Sequence, residues 1–229
     1  ADNLGAEVRE HDARYERAEE FMEVCYALWQ SWDSDALVRD KKRSLFADPK
    51  KVREVNYNGK YFQCRGPSQL PRSPQEIPVL FQAGQSPRGR QFAARHAEGV
   101  FTISPDLPAM QSYYRDVKDR LVNEGRRESD LAILTGIFPI VGSSEAAAQE
   151  KYEQLVELAT PEAGLAWCSG YASYNFAQVP FDTKLSELDP KDFAGIQSIF
   201  ELTMASSSDA ASLTPHLRAY PHVDEPTVR

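Results

Sequence analysis

The run Gln82-Ala83-Gly84-Gln85-Ser86-Pro87-Arg88-Gly89-Arg90 places a glycine, a hydroxyl and two cations where a short apolar stretch gives way to a helical pattern. Gly84 permits close approach of the backbone, and Ser86 offers a hydroxyl. The amides that follow are free at the helix start, where the helix dipole favours an anion. Arg88 and Arg90 add charge. Such a set can hold a phosphate. It also fits a plain helix start, in which Gly84 turns the chain, Ser86 caps the helix and both arginines face water. A second set is His11-Asp12-Ala13-Arg14-Tyr15. In a helical turn His11 and Tyr15 share a face. The His can donate to a ligand oxygen, and the Tyr hydroxyl can reach a phosphate. A surface His beside a core Tyr fits the same spacing.

Other chemistry finds less support. There is no GxSxG nucleophile elbow, no GxGxxG fingerprint and no GxxxxGK phosphate loop. Asp33, Asp35, Asp40 and Asp48 are scattered and come with no adjacent His or Gly loop, so no metal site is expected. His96, in an Ala-rich helix, is expected to be packed or capped. Tyr113, Tyr114, Trp29 and Trp32 are expected in the core. Cys25, Cys64 and Cys168 form no CxxC pair and suit reduced thiols in a cytosol, or packing. No catalytic base or nucleophile is assigned. The net charge of -8 argues against nucleic acid or an anionic membrane as the main partner, so an anionic ligand would need a local positive site. No stretch approaches the roughly 20 apolar residues of a membrane span. The start, Ala1-Asp2-Asn3-Leu4-Gly5, lacks an initiator Met and a signal-peptide pattern, so the numbering is expected to begin inside a longer chain.

The elements that would position these residues follow from periodicity. Residues 14–32 read as a helix capped by Asp12, with Tyr15, Ala18, Met22, Cys25, Trp29 and Trp32 at three- and four-residue steps. Glu16, Glu20 and Glu23 lie away from that stripe. Residues 33–51 read as loop. Residues 53–64 read as a hairpin about a tight Asn58-Gly59 turn, and 66–78, with four prolines, as a connector. Buried strands are expected at 79–84, 99–103 and 131–141, and helices at 87–96, 107–123 and 144–158. This alternation predicts parallel strands with crossover helices, and both a doubly wound sheet and a β/α barrel fit it. Beyond residue 160 the signal weakens to an irregular stretch at 168–178, one helix at 193–204 and a polar tail.

These runs resemble the nitrilotriacetate monooxygenase component A family of bacterial-luciferase-like flavin monooxygenases, which includes long-chain alkane and dibenzothiophene sulfone monooxygenases. The resemblance is carried by Asn3-Leu4-Gly5, the run from His11 to Phe21, and Trp29. It continues through Asp48-Pro49-Lys50-Lys51-Val52, the hairpin, and Arg65-Gly66-Pro67. Its most specific part is Pro78-Val79-Leu80-Phe81-Gln82-Ala83-Gly84 with Ser86, Gly89, Ala93 and His96-Ala97-Glu98. It runs to about Leu158 and thinly to about Leu188.

The resemblance implies a (β/α)8 TIM barrel that binds FMN without covalent attachment. It implies reduced FMN from a separate NADH-dependent flavin reductase, O2 and a small organic substrate as reactants, a homo-oligomer, and a cytoplasmic enzyme. His11 and Tyr15 match flavin-contacting positions, Ser86 the phosphate-binding position within the Gly84 motif, and Asn3 a strand exit near the flavin. The family has Arg before that Asn and Phe after it, where this chain has Asp2 and Leu4. The family's first three strands and its last barrel unit have no counterpart here. The expectation is therefore an incomplete barrel of about strands 4 to 7 with insertions over residues 1–190, then a weakly matched helix and irregular tail over 191–229. Two rivals stand beside it: a truncated, non-catalytic paralogue or fragment, and an oxidoreductase using the deazaflavin F420. The hairpin and the motif from Gln82 to Ser86 favour FMN.

Overall fold

The helical period expected from residue 14 begins one turn earlier, in α1 (His11–Trp29). The computed structural model describes residues 9–104 and 106–158, with 160, 163, 166–167, 169–170 and 174–178. Asn3, Cys168, the expected boundary near residue 190 and the helix expected at 193–204 lie outside these residues. Glu10 precedes α1 without a side-chain cap, so Asp12 is a first-turn acid that complements the helix dipole instead of capping the helix. Within α1, Met22 and Val24 are buried while Phe21 is exposed. The stripe is therefore not a single core face. The helix is used on two sides.

One side holds the second of two ribbons. Residues 33–51, expected to be loop, contain the antiparallel ribbon β1 (Leu37–Asp40) and β2 (Leu45–Ala47). The Asp40 carboxylate accepts the amides of Lys42 (2.8 Å) and Arg43 (3.0 Å), which turns the polar link between the strands. The next ribbon is β3 (Tyr57–Asn58) with β4 (Gln63–Cys64), antiparallel as expected. Its turn is different. Gly59 donates to the Phe62 carbonyl (2.9 Å), and the positive φ falls on Asn56, not on Asn58 or Gly59. Contacts from α1 explain the change. Glu20 accepts the amides of Tyr61 (2.8 Å) and Phe62 (2.7 Å). Glu16 accepts from the Lys60 ammonium (3.0 Å) and the Tyr61 hydroxyl (2.9 Å). The Tyr57 hydroxyl donates to Glu23 (2.6 Å), and that bond pushes its pKa up to about 12. The three acids left off the apolar stripe are thus the dock of the hairpin. Glu20→Ala, which strands two amides, is expected to lose about 1–3 kcal/mol of stability. Hydrogen exchange at Tyr61 and Phe62 checks this, and unchanged protection there would sink the assignment.

The other side of α1 packs on the α/β unit. This comprises β5 (Phe81–Gln82), α2 (Pro87–His96), β6 (Gly99–Thr102), α3 (Leu107–Asn123) and β7 (Ala132–Thr135), followed by α4 (Glu145–Leu158). The strands are parallel in the order β5-β6-β7, with Phe81 paired to Gly99 and Phe101 to Leu134. One face of the sheet carries the core: Ala93, Ala94, Ala97, Val100, Tyr113, Val117, Leu121 and Leu131, with Ile133 against it. The small side chains let α2 lie close to β6. Lys118 and Arg126 lock the far end. The Lys118 ammonium donates to the carbonyls of Glu128 (2.5 Å) and Leu131 (2.6 Å), and Arg126 to those of Ala94 (2.8 Å), Ala97 (2.8 Å) and Asp130 (2.9 Å).

The opposite face is bare among the described residues. Phe81 is 66% exposed, Phe101 49% and Leu134 46%. The strands expected to be buried on both faces are therefore covered on one, since only the helical side has a partner layer. The third is also shorter than expected, leaving Ile137, Phe138 and Val141 exposed beyond β7. Among the described residues, no helix is long and apolar enough to cross a membrane.

Candidate functional site

The turn that leaves β5 is built around two glycines. A Cβ on Gly84 would lie 2.8 Å from the Gly89 Cα and 3.1 Å from the Tyr15 hydroxyl. A Cβ on Gly89 would lie 2.6 Å from that hydroxyl and 2.9 Å from the Gly84 Cα. The chain folds back on the first turn of α2 with no room between, and Tyr15 closes over both. Ser86 caps α2, its Oγ accepting the Gly89 amide (3.1 Å), while Pro87 occupies the first helical position, where no amide is needed. From α3, the Tyr113 hydroxyl donates to the Gly84 carbonyl (3.1 Å). Burial pushes that hydroxyl up to about 12, so it remains a donor at ordinary pH.

The first turn of α1 supplies the other side. His11 Nε2 lies 3.2 Å from Ser86 Oγ, and its Nδ1 3.0 Å from Asp12 Oδ1. The His11 and Tyr15 rings are 5.1 Å apart, the neighbour relation that four-residue spacing on a helix requires. Glu19 fastens α1 to α2, reaching His96 Nε2 (2.7 Å), Arg88 (3.2 Å) and Arg95 (3.3 Å). Burial pushes the Glu19 carboxyl up, but the His96 hydrogen bond and the charges of His96, Arg95 and Arg88 outweigh it, so its pKa is lowered. His96, with Tyr26 on its Nδ1 (3.0 Å), is packed as expected.

Four residues singled out in the sequence, His11, Tyr15, Gly84 and Ser86, therefore meet in space. The two arginines part. Arg90 turns away to Asp116 (3.0 Å) and the Gln85 carbonyl (2.7 Å), lying over the Tyr113 ring. It is half-buried and does not line the pocket, and it ties α2 to α3. Arg88 stays. It lines an open pocket of about 700 Å³ with Glu10, His11, Asp12, Ser86, Pro87, Gln91 and Arg120. Gln91 and Arg120 were not legible in the sequence. Arg120 comes from α3, and its spacing to Asp116 reads as an ordinary surface ion pair.

Ser86, His11 and Asp12 stand in the order of a nucleophile, a base and an orienting acid, yet the site is better suited to holding an anion. The Ser86 oxygen already accepts the Gly89 amide, and Asp12 is 84% exposed, where water weakens its effect on the imidazole. A hydroxyl, an imidazole, two guanidinium groups and a helix start line one opening, with the carboxylates of Glu10 and Asp12 on its α1 side, and the α2 side offers the groups that hold an anionic oxygen cluster. Among the described residues, no group of three or more His, Cys, Asp or Glu could hold a metal ion.

Comparison with known proteins agrees with the earlier resemblance. The luciferase-like monooxygenase family matches residues 1–201. The dibenzothiophene-sulfone monooxygenase of Rhodococcus erythropolis is 48% identical over 179 residues, which is 78% of this chain and 40% of that protein. Among solved structures, a long-chain alkane monooxygenase is 36% identical with a TM-score of 0.73, covering 83% of this chain and 44% of that one. A riboflavin lyase crystallised with a modified FMN and riboflavin is 33% identical with a TM-score of 0.76, covering 87% and 44%. The chain thus spans about two fifths of the length of the relatives it matches.

Proposed function

The chain belongs to the luciferase-like monooxygenase family, and on that premise we propose that it forms the phosphate-gripping part of an FMN-dependent monooxygenase. The observation that carries this reading is the convergence of His11, Tyr15 and Ser86 on the Gly84–Gly89 turn at the start of α2. The site fits the group: the glycines let the turn close tightly on the first turn of α2, and the Ser86 hydroxyl and His11 imidazole that it positions line an open pocket. Ser86 would hold a phosphate oxygen, and Tyr15 would wall the turn behind it. His11 would donate from Nε2 when protonated, with Asp12 on Nδ1 fixing the ring's orientation. Asn3, at the expected strand exit, would add a contact near the flavin ring.

Bound reduced FMN would supply the reaction with O2 that oxidises a small organic substrate. The protein would orient the flavin and keep water from it. The names of the relatives support oxidation of a small substrate, and a separate NADH-dependent flavin reductase would supply the reduced flavin. A homo-oligomer is the expected assembly. A deazaflavin cofactor finds no specific support in the site, and one structural relative was crystallised with a modified FMN.

With the expected strand exit at Asn3 as the fourth, the three parallel strands and their crossover helices are read as about the fifth to the seventh units of a (β/α)8 barrel, with the two ribbons as insertions. Phe81, Phe101 and Leu134 would then face the barrel interior. Their exposure favours a second reading for this chain alone: a partial barrel with no enzymatic role of its own. Titration with FMN followed by flavin fluorescence, on this chain and on a longer protein that carries it, separates the two. Saturable quenching is expected from the longer protein. Binding by that protein only would assign the second reading to this chain, and binding by neither would overturn the flavin reading.

A further inference from the structure

We infer that Arg120 is a second cation of the anion pocket and makes it select a phosphorylated flavin over one without phosphate. The inference rests on the flavin reading above and assigns the residue that would govern selectivity at that site. Arg120 lines the same pocket as Ser86 and His11, although it comes from the far half of α3. Its Nε lies 3.1 Å from both oxygens of Asp116, and its Nη1 donates to Gln91 Oε1 (3.0 Å). Gln91 is fixed in turn by its Nε2 donating to Glu124 (2.6 Å). Two of the three nitrogens of the guanidinium are thus engaged, and Nη2 has no hydrogen-bond partner among the described residues.

A plain i, i+4 surface pair accounts for the contact between Asp116 and Arg120. It does not account for the charge balance. Asp116 also takes Arg90 at 3.0 Å, so one carboxylate is shared between two guanidinium groups and Arg120 holds only part of its charge. Both Asp116 and Arg120 are half-buried, where charge is less screened than in open water. The acids on the pocket wall, Glu10 and Asp12, belong to the start of α1, and Asp12 is engaged with His11. Ser86, Arg88 and Arg120 stand on the α2 and α3 side. A fork held in place at two nitrogens loses little freedom when a phosphate oxygen takes the third, which is the advantage of Arg over Lys at such sites. Gln91 and Asp116 are the positioning residues.

The test compares dissociation constants for FMN and riboflavin, by flavin fluorescence, in the protein that binds FMN above and in its Arg120→Gln and Arg120→Lys variants. Arg120→Gln should weaken FMN about tenfold, the scale of one lost charge-assisted hydrogen bond, and leave riboflavin unchanged. Arg120→Lys should recover part of the loss, and the salt dependence of FMN binding should fall in Arg120→Gln. Unchanged FMN affinity in Arg120→Gln overturns the inference. So does an equal loss for both flavins, which would mark Arg120 as structural. Failure of the parent protein to prefer FMN over riboflavin removes the phosphate reading itself and the inference with it.

Discussion

Replacing Ser86 with Ala is expected to weaken FMN binding roughly tenfold to a hundredfold while leaving riboflavin binding nearly unchanged. A hydrogen bond to a charged group contributes about 1.5–3 kcal/mol, and 1.4 kcal/mol is a factor of ten in affinity. Ser86 is a strong candidate for an effect of this size because it is buried and its partners are fixed. The Gly89 amide holds the oxygen from one side and His11 Nε2 stands 3.2 Å away on the other. The same substitution removes the α2 cap, which costs about 1 kcal/mol of stability whatever the ligand. Two measurements separate the effects. Urea denaturation without ligand reads the cap, and the ratio of FMN to riboflavin affinity reads the phosphate contact. A destabilised variant with that ratio unchanged would leave Ser86 as a cap and nothing more.

How far the sequence disclosed this arrangement depends on where each determinant lies. The bounds of α2, α3 and α4 were legible because each helix start is written locally. Ser86 accepts from Gly89, Asp106 from the Ala109 amide (2.8 Å) and Ser144 from the Ala147 amide (3.2 Å). The parallel order of the sheet followed from alternation of strands and helices. The hairpin turn is not legible locally because its geometry is imposed by Glu20, 41 residues before Tyr61 in the chain. The ribbon at 37–47 leaves no local signal because Asp40 turns it by a side-chain contact inside a run of charged residues, where no apolar alternation marks the strands. In the site, His11 and Tyr15 could be paired from spacing, and Gly84 with Ser86 from the strand-to-helix change. What joins the two pairs could not be read. Glu19, His96 and Arg88 fasten α1 to α2 across some 70 residues of chain, and Arg120 reaches the pocket from a third helix.

The second large effect concerns space rather than charge. Gly89 lies inside a helix, where Gly→Ala ordinarily stabilises by roughly 0.5–1 kcal/mol. Here Gly89→Ala is expected to destabilise by about 1–3 kcal/mol and to abolish tight FMN binding, because overpacking outweighs the gain in propensity. The new methyl would meet the Tyr15 hydroxyl at 2.6 Å, the Gly84 Cα at 2.9 Å and the Gly84 carbonyl carbon at 3.2 Å. The hydroxyl belongs to a side chain and can move. The Gly84 backbone is tied from behind by Tyr113, so relief requires opening the turn between β5 and α2. The double variant Gly89→Ala with Tyr15→Phe distinguishes the two contacts. Removing the hydroxyl takes away the 2.6 Å contact and leaves the backbone contact at 2.9 Å, so the rescue of the urea midpoint should be partial. Complete rescue would place the whole cost on Tyr15. A single Gly89→Ala variant more stable than its parent would mean that the turn and the helix are free to separate, and a turn that loose could not present Ser86 and His11 to one phosphate.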